Sequence, residues 1–187
     1  WRLTHPTSNI SSTLLKQGRM HPDVCEFVNR HFYHGDLQTV PVPHQLQPLD
    51  FPNHGRDLQE YIATRRVGFL HCDCPETMEV SNKHNRKEAK IVASIVGTIN
   101  EICLMNGLEF NPAERIGIIV PFRGQISMIR KEIEKLPIEN ANQIVVDTVE
   151  RFQGSQRDII IFSTTISQPY QLNILSAPVE IEGLMVD

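Results

Sequence analysis

The run Gln153-Gly154-Ser155-Gln156 brings two carboxamides, a hydroxyl and a glycine into one short polar turn. Apolar runs rich in β-branched residues, Ile144 to Val146 and Ile159 to Phe162, flank it. A turn of that make-up beside a sheet offers backbone N–H groups to a phosphate or a ribose–phosphate chain. Arg123 and Gln125 stand just after another apolar run, Arg115 to Val120, where a polar loop leads into a helix. In open α/β sheets that position, beyond the carboxyl ends of the strands, is where ligands bind, and both side chains suit a backbone phosphate. Arg19 lies in a turn just before a helix, free to project from the fold. Plainer readings stand beside these. Gly154 suits any turn that needs a positive φ, and Arg19 suits any solvated or salt-bridged surface.

The elements that must carry these groups are legible from periodicity. Val24, Phe27, Val28, His31 and Phe32 recur on one face of a helix expected from Pro22 to Phe32, with proline in its first turn and Gly35 as its stop. Four prolines between Leu37 and Asn53 (Pro41, Pro43, Pro48 and Pro52) exclude a helix or a central strand there. A short helix or turn follows over 57–66, then a short strand over Val67 to Leu70. Asn85 reads as an N-cap with Glu88 completing a capping box. From there Ala89, Val92, Ile95, Val96, Ile99, Ile102 and Cys103 predict a long amphipathic helix to about Met105, ended by Asn106-Gly107. After the strand at Arg115 to Val120, the stripe Ile126, Ile129, Ile133 and Leu136 predicts a second helix, stopped by Pro137. The strands at Ile144 and Ile159 lack polar alternation, which predicts burial on both faces of a parallel sheet. Strands alternating with helices give an α/β fold of three layers with a mostly parallel sheet. The region after Ser167 reads as loop with one strand at most.

Composition removes several function classes. A length of 187 residues fits one domain, or one plus an appendage, and the net charge of −4 carries no global signature of a nucleic-acid binder. Any such site has to be local or shared with another part of a longer protein. No apolar run reaches the roughly 18 residues of a membrane span. The opening Trp1-Arg2-Leu3-Thr4 is no signal peptide and reads as a cut inside a longer chain, with residues 1–13 as a linker or a frayed, truncated start. The cysteines, Cys25, Cys72, Cys74 and Cys103, form no CxxC pair. His71-Cys72-Asp73-Cys74 has no second ligand pair at zinc-site spacing, so reduced thiols in a cytoplasmic protein, or a nuclear one if eukaryotic, are expected and no metal site. Asn9-Ile10-Ser11 matches a glycosylation acceptor without other signs of secretion.

Three segments in fixed order carry a resemblance: Gln17 to Pro22 with Phe32-Tyr-His-Gly35, Ile116 to Gln125, and Val146 to Gly154 with Asp158 to Ser163. Together, across 14–165, they resemble the second RecA-like domain of superfamily 1 helicases. The branch is that of the nonsense-mediated-decay helicase, senataxin-type proteins and the replication helicase-nucleases. The helix start Asn85-Arg-Lys-Glu-Ala89 is similar to the family's pattern too. The resemblance implies a P-loop NTPase-type fold over 14–187 that lacks its own phosphate loop, since GxxxxGK[ST] is absent. It implies ATP and Mg2+ in a cleft shared with a first RecA-like domain that supplies the metal ligands. Gln17 and Arg19 would face the nucleotide, with Arg19 reaching its γ-phosphate as the catalytic arginine. Gln153, Gly154 and Gln156 would lie near the same cleft. Thr148, Pro121, Arg123 and Gln125 would form part of a single-strand face for DNA or RNA.

The sequence departs from that pattern. Gly18 stands where the family has an aromatic that packs on the base, and Gln156 where it has a glutamate associated with the ribose. The arginine-rich motif that should follow the final loop is missing from this sequence. Two functions follow as expectations. One is the C-terminal motor domain of an ATP-dependent helicase or translocase, inactive as an isolated fragment. The other is a degenerate helicase domain that binds nucleic acid or a protein without efficient hydrolysis.

Overall fold

A computed structural model describes residues 14–72, 83–166, 171–172, 179–181 and 184–186. The expected linker, the Asn9 acceptor, and Asp73 and Cys74 lie outside them. The chain forms two compact units, one from Trp1–Asp50 with Tyr61–Phe69, the other from Phe51–Glu60 with Leu70–Asp187.

The first unit is built on a small parallel pair. Strand β1 (Lys16–Gln17) lies beside β2 (Gln38–Thr39), with Gln17 opposite Thr39. Helix α1 (Pro22–Phe32) makes the crossover between them. It starts as its sequence dictates: Pro22 opens the first turn and the His21 ring accepts the Asp23 N–H at 3.1 Å. It ends with Gly35 at φ 90°, whose N–H reaches the Asn29 carbonyl. The Asn29 side chain then clamps Leu37, taking its N–H at 2.8 Å and giving to its carbonyl at 3.0 Å. The helix boundaries match the periodicity, but the apolar face does not become core. Val24, Phe27 and Phe32 are 41, 65 and 69% exposed, and the buried residue on α1 is Cys25. The proline-rich stretch holds β2 and a single 3-10 turn, Pro43–Gln45.

Helix α2 (Leu58–Thr64) is the short helix expected, but no strand forms at Val67 to Leu70. Tyr61 explains why. Its hydroxyl accepts the Phe69 N–H at 2.9 Å and donates to the Phe69 carbonyl at 3.2 Å. A side chain thereby takes both backbone groups that a neighbouring strand would need. The Tyr61 ring also stands 2.7 Å from where a Cβ on Gly68 would sit.

The second unit carries the main sheet. Helix α3 (Arg86–Met105) opens on Asn85, whose side chain accepts the Glu88 N–H at 3.0 Å. It buries Ala89, Val92, Ala93, Val96, Ile99, Ile102 and Cys103, and ends at Gly107 with φ 64°. A short turn of helix, α4 (Pro112–Arg115), leads into β3 (Ile116–Val120). Helix α5 (Arg123–Ile133), strand β4 (Val145–Thr148), the four-residue α6 (Val149–Phe152) and β5 (Ile159–Phe162) complete the core. The strand order is β4-β3-β5, all parallel, with β3 central. This is the α/β arrangement of a RecA-like domain. Ile116, Ile118 and Val120 are fully buried on one face of β3, while Gly117 on the other makes room for the Phe152 ring.

Two expectations fail here. The outer strands are not buried on both faces: along β5, Ile160 and Phe162 remain 45 and 55% exposed. After Ser167, two strands rather than one pair antiparallel, β6 (Val179–Ile181) with β7 (Leu184–Val186).

Candidate functional site

The candidate residues fall in both units. In the first, the chemistry centres on the turn between β1 and α1. Gln17 binds that turn with both ends of its carboxamide and reaches β2 as well. Its Oε1 accepts the N–H groups of Arg19 at 3.0 Å and Met20 at 2.8 Å. Its Nε2 donates to the Met20 carbonyl at 2.9 Å and the Thr39 hydroxyl at 3.3 Å. Gln45, buried to 1% exposure, braces the turn from below, its Nε2 donating to the Gln17 and Met20 carbonyls. His44 adds a bond to the Gly18 carbonyl at 2.9 Å. The backbone of residues 17–20 is thus stapled by two glutamines and a histidine. Arg19 stands exposed at its apex and makes no ion pair among the described residues. A guanidinium on a fixed backbone, with no internal partner, is arranged to meet an anion from outside. Gly18 has open space around it, with nothing within 4 Å of a Cβ placed there.

In the second unit, Thr148 ends β4 directly beside Val120, the last residue of β3. Pro121 and Arg123 follow Val120, so these three share the carboxyl edge of the sheet. The Thr148 N–H is held by the Asp147 carboxylate at 2.8 Å. The Glu150 carboxyl is held below its ordinary range, first by its own backbone N–H, then by the Thr148 hydroxyl, with Arg123 close enough to lower it further. Arg123 is exposed, whereas Thr148 is 7% exposed.

Gln125 is different. It is fully buried and closes on the start of α3, accepting the Asn85 N–H at 2.7 Å and donating to the Asn85 carbonyl at 3.1 Å. Its Nε2 also reaches the Ser163 hydroxyl at 3.3 Å. This arrangement replaces half of the expected capping box. The N-cap N–H goes to Gln125, and the Glu88 carboxylate turns instead to Ser163 and Thr165. Nothing in the spacing of Gln125 announces this, because residues forty apart supply the partners.

Gln153, Gly154 and Gln156 are exposed in the turn before β5, with Gly154 at φ 86°. The turn lies toward the opposite end of the strands from Thr148, since β5 starts with Ile159 beside Ile116. The Arg157 guanidinium lies over the Phe152 ring at 5.8 Å, and Arg115 pairs with Asp158 at 3.1 Å. A groove of about 570 Å3 between Arg86, Met128, Lys131, Glu132, Glu134 and Lys135 includes none of the candidate residues. Among the described residues no helix is long and apolar enough to cross a membrane.

Comparison with known families decides the class. A family described as AAA domain matches residues 2–178. The chain belongs to it. Among curated proteins, this helicase domain is 31% identical over 159 residues to probable helicase senataxin of Mus musculus, covering 84% of the chain and 5% of the relative. It is 31% identical over 164 residues to regulator of nonsense transcripts 1 of Dictyostelium discoideum, covering 83% and 11%. It is 27% identical over 165 residues to helicase sen1 of Schizosaccharomyces pombe, covering 87% and 9%. The domain is a superfamily 1 helicase domain of the senataxin and nonsense-transcript-regulator branch. It spans about a tenth or less of the length of these relatives.

Proposed function

We propose that this chain is the C-terminal motor domain of an ATP-dependent helicase or translocase. It supplies one wall of an interdomain ATP site and part of a surface for single-stranded DNA or RNA. The observation that carries this reading is Arg19, exposed on a turn that Gln17 holds by both ends of its carboxamide. Gln17 serves the nucleotide side by fixing that turn. Arg19 then meets the γ-phosphate without first having to order its own backbone, which keeps the entropic cost of the contact low. The fit of ATP rests on that exposed guanidinium, which has no ion-pair partner among the described residues. Bound ATP with its Mg2+, whose ligands come from the first RecA-like domain, would supply the phosphoryl transfer that drives the cycle. Arg19 stabilises charge developing on the transferred group and senses its loss. On the strand side, Arg123 neutralises a backbone phosphate, with Pro121 and Thr148 beside it and Gln125 anchoring the turn beneath.

Turnover of ATP by the full-length protein, with and without a single strand, tests this beside Arg19→Ala. The expected result is strand-stimulated turnover that drops by about a thousandfold or more in the variant. Nucleotide and strand binding should survive. Turnover unaffected by the substitution refutes the role of Arg19. Gly18 and Gln156 favour a second reading, a domain that binds strands without efficient hydrolysis. Strand binding by the parent protein with no turnover at all selects it.

A further inference from the structure

Glu88 is a carboxylate buried to 9% exposure that faces no arginine or lysine in any hydrogen bond or ion pair of the described residues. Its Oε1 accepts two hydrogen bonds, from the Ser163 hydroxyl at 2.9 Å and from the Thr165 N–H at 3.0 Å. Its Oε2 is buried without a hydrogen-bond partner. Thr165 is fully buried at φ 64°. For a β-branched residue that is an outlier, and such backbone persists only where its surroundings over-determine it. Glu88 takes the N–H that this left-handed turn presents. The Thr165 hydroxyl adds only a long bond, at 3.5 Å, to the Ser163 carbonyl.

The same cluster reaches the strand side. Ser163 accepts from Gln125, and Gln125 is bonded through both ends of its carboxamide to Asn85. Gln125 sits two residues after Arg123 in the first turn of α5. Glu88 itself sits in the first turn of α3, capped by Asn85. Three chain segments therefore meet at this carboxylate: the start of α3, the start of α5 and the exit from β5. The last two leave the carboxyl ends of neighbouring parallel strands, the edge that carries Arg123 and Thr148.

We propose that Glu88 is a positioning residue for the strand-binding face. It holds the exit from β5 in its strained conformation and, through Ser163 and Gln125, fixes the turn that presents Arg123. This rests on the strand-binding role proposed above. Glu88 touches neither strand nor nucleotide; its effect on the strand passes through Arg123.

The test uses the full-length protein with fluorescein-labelled oligo-uridine and oligo-thymidine, read by anisotropy, together with the KM for ATP. Hydrogen exchange is followed over residues 121–125 and 163–165. Glu88→Ala should weaken strand binding about tenfold, as the loss of a buried charge-assisted bond converts to affinity. Its KM for ATP should stay within about twofold of the parent. Exchange over both segments should quicken. Glu88→Gln should recover much of the loss, because an amide oxygen still accepts from Ser163 and Thr165. Strand affinity unchanged in Glu88→Ala overturns the proposal. So does an equal loss of strand and ATP affinity with no recovery in the glutamine variant, which marks a residue that merely holds the fold. If Glu88→Ala does not fold, Ser163→Ala carries the same comparison. Arg123→Ala separates the layers. A loss there without one at Glu88 removes only this inference. No loss at either, or no strand binding by the parent, removes the strand face as well.

Discussion

Gly117 shows how tightly single residues are specified in the sheet. A Cβ added there would lie 2.4 Å from the Phe152 ring and 3.0 Å from the Arg157 side chain. Phe152 is 6% exposed and its ring lies under a guanidinium, so it has little room to retreat. Gly117→Ala should therefore destabilise the domain by about 1–3 kcal/mol, the usual cost of overpacking a filled site. Denaturant melts would read it, and the double variant with Phe152→Leu should regain part of the loss. A Gly117→Ala protein as stable as the parent would mean that Phe152 does not cover β3. Sequence alone marks Gly117 as a small residue in an apolar run. It does not name the aromatic thirty-five positions later that makes the small residue necessary. The same limit applied to Glu88 and Gln125. Their types suggested a capping box and a phosphate contact, whereas long-range partners claimed both side chains.

Elements were more legible than residues wherever local signals agreed. Proline in the first turn and glycine beyond the last bounded α1, and Asn85 with Asn106-Gly107 bounded α3, because caps act within a few residues. The run at Val67 to Leu70 has the composition of a strand and forms none, because Tyr61, a side chain on the preceding helix, takes the backbone groups of Phe69. Which face of α1 is core was also hidden, since periodicity shows that a face exists and not what covers it. At this scale the contact between α3 and α5 yields a pH prediction. The Glu132 carboxyl is held below its ordinary range, near 4.5, chiefly by the hydrogen bond from Lys135 at 2.6 Å. Burial opposes this, and the charges of Lys135, Lys90 and Arg86 add to it. A carboxyl depressed in the fold binds fewer protons there than in the unfolded chain. Its contribution is thus present above the ordinary carboxylate value and lost as pH falls through the lowered one. Glu132→Gln should lower the melting temperature slightly at pH 7, and the gap should close on acidification below about 4.5. Added salt should shrink it at neutral pH, because Lys135 is solvent-exposed and the pair is screened. A gap that widens in acid would show that Glu132 acts through packing instead.

For the whole molecule, charge and motif content set what this chain can do without its neighbours. Lysine and arginine number 18 against 22 aspartate and glutamate, a net charge of −4. A surface with that balance does not gather a polyanion by its overall field. Of the residues proposed to touch a strand, Pro121, Thr148 and Arg123, only Arg123 carries positive charge. Release of counterions from a single strand scales with the phosphates neutralised, by about 0.7 in log K for each. The chain by itself should therefore bind single strands weakly, with a salt slope of about −0.7 rather than the steep dependence of a basic groove. It should also leave ATP unhydrolysed, because no GxxxxGK[ST] is present to hold the phosphates and the metal. Titration of a labelled oligonucleotide at several salt concentrations, beside a phosphate-release assay, measures both properties on one preparation. A slope several times steeper would mean that cations away from Arg123, such as Lys90 and Lys131 on α3 and α5, form the true nucleic-acid face. Turnover by this chain alone would remove the two-domain reading of the ATP site, since Arg19 would then be acting on a nucleotide held by residues of its own domain.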